Sequence, residues 1–149
     1  MSLREVNIVQ FQVMSKEQAF NYAKSKNDER SIIISINDVN DVDSFIVPNN
    51  KNNIYKIHYT FFNDVESGCT AISDDQANEI ADFVLAYKDE IDLIIVHCGA
   101  GVSRSAGCCA AIMKALCGTD KMIFNNVYYK PNMKVYHEVL KALIHKIGV

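Results

Sequence analysis

Between Val96 and Ser105 the chain reads VHCGAGVSRS, with a thiol, Cys98, and a guanidinium, Arg104, at the two ends of a run of small residues. The apolar stretch Leu93–Val96 leads into this run, and a helix rich in small residues is predicted from Ser103 or Arg104 to about Leu116. A strand that passes through a glycine turn into a helix N-terminus is a general anion site, because successive backbone N–H groups converge there and the helix dipole favours negative charge. Gly99, Ala100 and Gly101, continued by Val102 and Ser103, let the backbone wrap closely around such a group. A thiol in that field, beside a guanidinium, can have its pKa brought into the range of roughly 3.5 to 7.5, so Cys98 is expected to be a thiolate at neutral pH. Arg104 presents a planar fork that matches two oxygens of a tetrahedral phosphate, a geometry lysine cannot supply. The chain has three arginines against twelve lysines, so an arginine at this spacing from a cysteine carries some weight.

Several elements must position this turn. Val9, Phe11 and Val13 alternate with glutamines and predict a half-buried strand near a sheet edge. Ser15–Gln18 has the form of a capping box and opens a short helix, and Arg30–Ile36, RSIIISI, is a β-branched run suited to a central strand. The Asn- and Asp-rich stretch from Asn37 to Asn53 predicts a loop, Ile54–Tyr59 a strand, and Thr60–Thr70 another loop. Ser73–Gln76 is a second capping box, and Pro131–Asn132 begins a last helix with Tyr136, Val139, Leu140 and Leu143 on one stripe. Strands interleaved with helices predict an α/β fold with a central, mainly parallel sheet flanked by helices.

Composition bounds the rest. The 149 residues suit one domain spanning 1–149, 49% of them are hydrophobic and 22% charged, and no apolar run approaches the roughly 20 residues of a membrane helix. The N-terminus lacks the pattern of a signal peptide, and the five cysteines show no disulfide-framework spacing, so a reducing, cytoplasmic setting without membrane association is expected. A net charge of -3 with scattered lysines gives no reason to expect nucleic acid. No Cys/His set has metal-site spacing, no cofactor is indicated, and a monomer is expected. The abundance of Lys, Asn, Asp and Ile suggests a bacterial, AT-rich source.

The segment VHCGAGVSRS resembles the phosphate-binding signature H-C-x5-R-[ST] of the cysteine-based protein tyrosine phosphatase superfamily, and its form is closest to the compact dual-specificity-like members. The resemblance implies that Cys98 attacks phosphorus to form a phosphocysteine, that Arg104 clamps the phosphate with the amides of Gly99 to Ser103, and that Ser105 stabilises the thiolate as it leaves. His97 would order the loop through hydrogen bonds. The mechanism also needs an acid for the leaving oxygen, in the family an aspartate on a mobile loop upstream of the cysteine. Asp64, in TFFNDVESG, lies at the right distance, with Asp74 or Asp75 as the alternatives, and Phe62–Asn63–Asp64 replaces the Trp-Pro-Asp of the tyrosine-specific enzymes. Asn132 is read first as a helix N-cap and second as a residue that positions a phosphate or water.

The activity implied is hydrolysis of a phosphorylated protein or a small phosphomonoester. The uncharged positions 99–103 argue against a multiply phosphorylated headgroup. Two other readings remain at this point: a catalytically silent phosphate-binding module, and rhodanese-like sulfur transfer, whose cysteine loop is commonly one residue shorter.

Overall fold

A computed structural model describes residues 8–41 and 45–148. Its strands are β1 (Gln10–Met14), β2 (Asn27–Asn37), β3 (Asn52–Phe61) and β4 (Leu93–His97), and its helices are α1 (Lys16–Lys24), α2 (Asp74–Tyr87), α3 (Arg104–Cys117), α4 (Lys121–Phe124) and α5 (Met133–Ile147). The strands form one sheet in the order β1-β4-β2-β3, and every neighbouring pair is parallel. The expected edge position of β1 and central position of β2 both hold.

Strand alternation divides the core between the two faces of this sheet. Ile32, Ile34 and Ile36 of β2, with Ile94 and Val96 of β4, turn toward α2, α3 and α5 and join the larger apolar cluster. Ile33, Leu93 and Ile95 turn the other way and pack with Met14 and with Ala19 and Ala23 of α1. Each fully buried isoleucine contributes about 1.5–3 kcal/mol by leaving water, and both faces of β2 and β4 gain in this way. That double burial is why these two strands read as unbroken apolar runs.

Local chemistry sets the helix ends. Ser15 and Ser73 each accept from the backbone N–H three residues on, and the Gln18 and Gln76 side chains return the bond. Gly118, in the left-handed region at φ +80°, ends α3. The strands run somewhat beyond their predicted limits, β2 from Asn27 to Asn37 and β3 from Asn52 to Phe61, because ladder pairing extends past the β-branched residues. The single turn α4 has too few residues to show a period and was not expected from the sequence.

Among the described residues no helix is long and apolar enough to cross a membrane, and no group of three or more His, Cys, Asp or Glu side chains is arranged to hold a metal ion. All five cysteines carry free thiols.

Candidate active site

Cys98 follows the last residue of β4, and Arg104 is the first residue of α3, so the loop between them fills the gap between the carboxyl end of a central strand and a helix N-terminus. In open parallel sheets this is where ligands bind. Four carbonyls of the loop are tied outward. Cys98 O lies 3.1 Å from His97 Nδ1, Gly99 O accepts from Lys16 N, Val102 O from Lys130 N, and Ser103 O from Asn132 N. A trans peptide points its N–H opposite to its C=O, and no peptide bond here is cis. Anchoring these carbonyls therefore turns the N–H groups of Gly99, Ala100, Ser103 and Arg104 to the other side. Among the described residues, the N–H groups from Gly99 to Ala106 donate to no backbone carbonyl. They form a cradle of donors.

Two close approaches press this cradle into shape. Gly101 has φ +74°, and a Cβ on it would meet the backbone of Met14 and Ser15 at 2.7 to 2.9 Å. Gly107, one turn into α3, lies so near α5 that a Cβ would come within 2.5 Å of Asn132 O. Only glycine fits either position without displacing backbone.

Cys98 is 3% exposed, and its Sγ lies 3.1 Å from Ser105 Oγ. Burial pushes the thiol pKa up, but the Ser105 hydroxyl, the N–H groups of Ser105 and Gly101 and the charge of Arg104 outweigh it, so the net shift is downward from 9.0. Cys108 and Cys109 on α3 show the contrast. Fully buried among apolar groups, their thiols are pushed up, that of Cys109 to about 12, as suits core-filling residues.

Arg104 is held from one end of its fork. Its Nη1 donates to Asp38 Oδ1 at 2.7 Å and to the carbonyl of Phe62 at 2.8 Å, while Nη2 lies beside Gly99. With Nη1 fixed, Nε and Nη2 form the edge left to face a bound phosphate. The cleft here is lined by Lys16, Asn37, Asp38, Asp41, Gly99 and Arg104.

Asp64 reaches the same loop from the segment after β3. Its Oδ1 accepts from Ser103 Oγ at 2.8 Å and from Asn132 Nδ2 at 2.9 Å. Phe62, where a tyrosine-specific enzyme has Trp, is 1% exposed in the main core, and it anchors this segment while its carbonyl holds Arg104. Asp74 instead begins α2, is exposed, and lies 3.9 Å from Lys141 Nζ, while Asp75 is an exposed residue of the same first turn. Neither has a hydrogen bond to the Cys98 loop.

Asn132 combines two tasks. Its Oδ1 caps α5 by accepting from Val135 N, and its Nδ2 holds Asp64 and the Val65 carbonyl. His97 is fully buried, with Nε2 2.6 Å from Ser35 Oγ. The candidate residues His97, Cys98, Arg104, Ser105, Asp64 and Asn132 thus come together around one loop. Sequence reading missed Asp38, Ser35 and Asn37. The available signal was a set of polar residues, SIND, closing an otherwise β-branched central strand.

No family model matches the sequence, and no curated protein matches it. Solved structures do. PTPMT1 is 16% identical, with a TM-score of 0.56 over 93% of this chain and 92% of that one. Human DUSP28 is 13% identical, with a TM-score of 0.56 over 95% of this chain and 99% of that one. The human tyrosine phosphatase-like serine/threonine/tyrosine-interacting protein is 20% identical, with a TM-score of 0.52 over 86% and 89%. The chain has the fold of the compact cysteine-based protein tyrosine phosphatase superfamily, and the H-C-x5-R-S segment occupies its strand-to-helix turn.

Proposed function

We propose that this chain is a cysteine-dependent phosphomonoesterase of the dual-specificity-like kind. The observation that carries the reading is the coincidence, in one loop, of a thiol of lowered pKa, a row of N–H groups without backbone acceptors, and an arginine fixed through Nη1. A phosphoryl group bound there has its non-bridging oxygens on the amides and on Arg104, and its phosphorus against Cys98 Sγ.

In the first step the Cys98 thiolate attacks phosphorus, and the P–O bond to the leaving group breaks as Asp64 donates its proton to that oxygen. In the second step water attacks the phosphocysteine, its proton passes to the Asp64 carboxylate, and the thiolate leaves. Ser105 and the N–H of Gly101 stabilise the thiolate in both directions. The substrate class is a phosphorylated protein or a small monoester, because positions 99–103 offer no cation to further phosphates. Free thiols at all five cysteines suit a reducing, cytoplasmic setting.

The decisive experiment is release of inorganic phosphate from a phosphotyrosine peptide by the purified chain, without added metal, beside Cys98→Ser. Turnover that disappears in the variant is expected. Binding of the peptide without turnover would replace the reading with a silent phosphate-binding module, and absence of both would reopen sulfur transfer.

A further inference from the structure

Beneath the loop lies a chain of three buried polar side chains, Asn37 and Ser35 of β2 and His97 of β4. Ser35 of β2 and His97 of β4 are register partners, and Met14 of β1 lies beside His97 in the next strand. Ser35 and His97 are fully buried and Asn37 is 3% exposed. Burial at this level limits them to hydrogen bonds within the protein, so the proton positions follow from which partners can donate and from the charge of the ring.

The Cys98 carbonyl, 3.1 Å from His97 Nδ1, can only accept, so Nδ1 carries a proton. Burial, with the charges of Lys16 and Arg104, lowers the imidazole pKa against the pull of that carbonyl and so favours the neutral ring, and since Asn37 donates to Ser35 Oγ, the Ser35 proton has Nε2 as its acceptor. Nε2 of a neutral ring protonated at Nδ1 is an acceptor. Ser35 Oγ, 2.6 Å away, must therefore donate to it. The Ser35 oxygen in turn accepts from Asn37 Nδ2 at 3.1 Å, and the same Nδ2 donates to the Ser35 carbonyl at 3.1 Å. Every bond then points one way, from Asn37 through Ser35 and His97 to the Cys98 carbonyl.

We propose that Ser35, oriented by Asn37, is a positioning residue for the Cys98 loop: its hydroxyl fixes the His97 tautomer that holds the Cys98 carbonyl outward and so turns the Gly99 N–H into the cradle. The inference rests on the reading of that loop as the phosphate site. It adds a residue with no contact to the cradle whose proton sets the direction of a cradle donor. The hydroxyl also polarises the ring, so that Nδ1–H is a stronger donor than it would be with Nε2 bare.

The test uses thiolate reactivity and histidine tautomer, neither of which depends on turnover, so a failed phosphatase assay leaves it intact. In the parent chain, assigned nitrogen spectra of His97 are expected to show the neutral Nδ1–H form near pH 7, with any titration lying below that of free histidine. An Nε2–H tautomer, or a charged ring near pH 7, would overturn the proposal whether or not any variant folds. In Ser35→Ala, alkylation of Cys98 by iodoacetamide is expected to slow several-fold near pH 6 and its pH profile to move upward, while Ser35→Thr, which keeps the hydroxyl, restores both. A folded Ser35→Ala with the parent profile, or a Ser35→Thr no better than Ser35→Ala, would reduce Ser35 to a packing residue.

Discussion

Ser103 and Asp64, one in the Cys98 loop and the other on the segment that leaves β3, are joined by a 2.8 Å hydrogen bond from Oγ to Oδ1. The proposed acid is thereby attached to the structure that holds the proposed nucleophile. Asn132 donates to the same oxygen from the start of α5, which leaves Oδ2 as the oxygen without a described hydrogen bond.

If Asp64 supplies the leaving-group proton, Asp64→Asn should slow esters of poorly leaving alcohols by about 10²- to 10⁴-fold and activated aryl phosphates far less. Steady-state rates on a series of esters of graded leaving-group pKa check this. Equal losses across the series would remove Asp64 from the acid role.

Arg104→Lys tests the clamp. An ammonium can retain one contact to Asp38 or the Phe62 carbonyl but cannot offer a second parallel donor to phosphate. The expected result is a fall of about 10²-fold or more in kcat, with Cys98 still present to be alkylated. A rate near that of the parent would mean that the amides alone carry the charge.

Gly107→Ala should destabilise the fold by about 1–3 kcal/mol, because the added methyl meets the Asn132 carbonyl and α3 and α5 must separate. The same displacement moves the Asn132 side chain that caps α5 and holds Asp64, so activity is expected to fall along with the urea midpoint. An unchanged midpoint would show that α5 yields without cost.

Stability should depend on pH in two opposing limbs. Burial lowers the pKa of His97 and of His58 below 6.5, so the unfolded chain binds more protons than the folded one as pH falls past that value. Stability is then lost toward acid. The lowered pKa of Cys98 acts in the same sense up to 9.0. Above 9.0, Cys108 and Cys109 ionise only on unfolding, so stability falls again. Urea midpoints should rise from about pH 5, pass a maximum between about 7 and 9, and decline beyond. A flat acid limb would mean that the two histidines are not held neutral.

The two capping boxes, the apolar strand before Cys98 and the glycine turn were legible in the sequence because each is a short-range signal, complete within a few residues. The side to which a residue's partners lie was not. Asp38 follows a strand and looks like any polar loop residue until β2 and β4 are laid side by side and Arg104 is found 2.7 Å away. Asn132 reads from the sequence as a helix cap, and its Oδ1 is one, but that its Nδ2 holds Asp64 and the Val65 carbonyl needs the fold to be seen. Phe62 stands where the tyrosine-specific enzymes have tryptophan, and only packing shows that its ring lies in the core while its carbonyl holds Arg104.

The uniform direction of the four strands gives the molecule one rim that carries the Cys98 loop and an opposite rim that does not. Each strand delivers its carboxyl end to the same side, so Ser15, Asp38, Asp64 and Cys98, far apart in the chain, are neighbours by construction. The turns that precede β2, β3 and β4, among them the exposed Asp89–Glu90, lie at the opposite rim. Chain added or lost at that rim stays away from the Cys98 loop, so a partner that docked there would hold the protein in place without covering the loop.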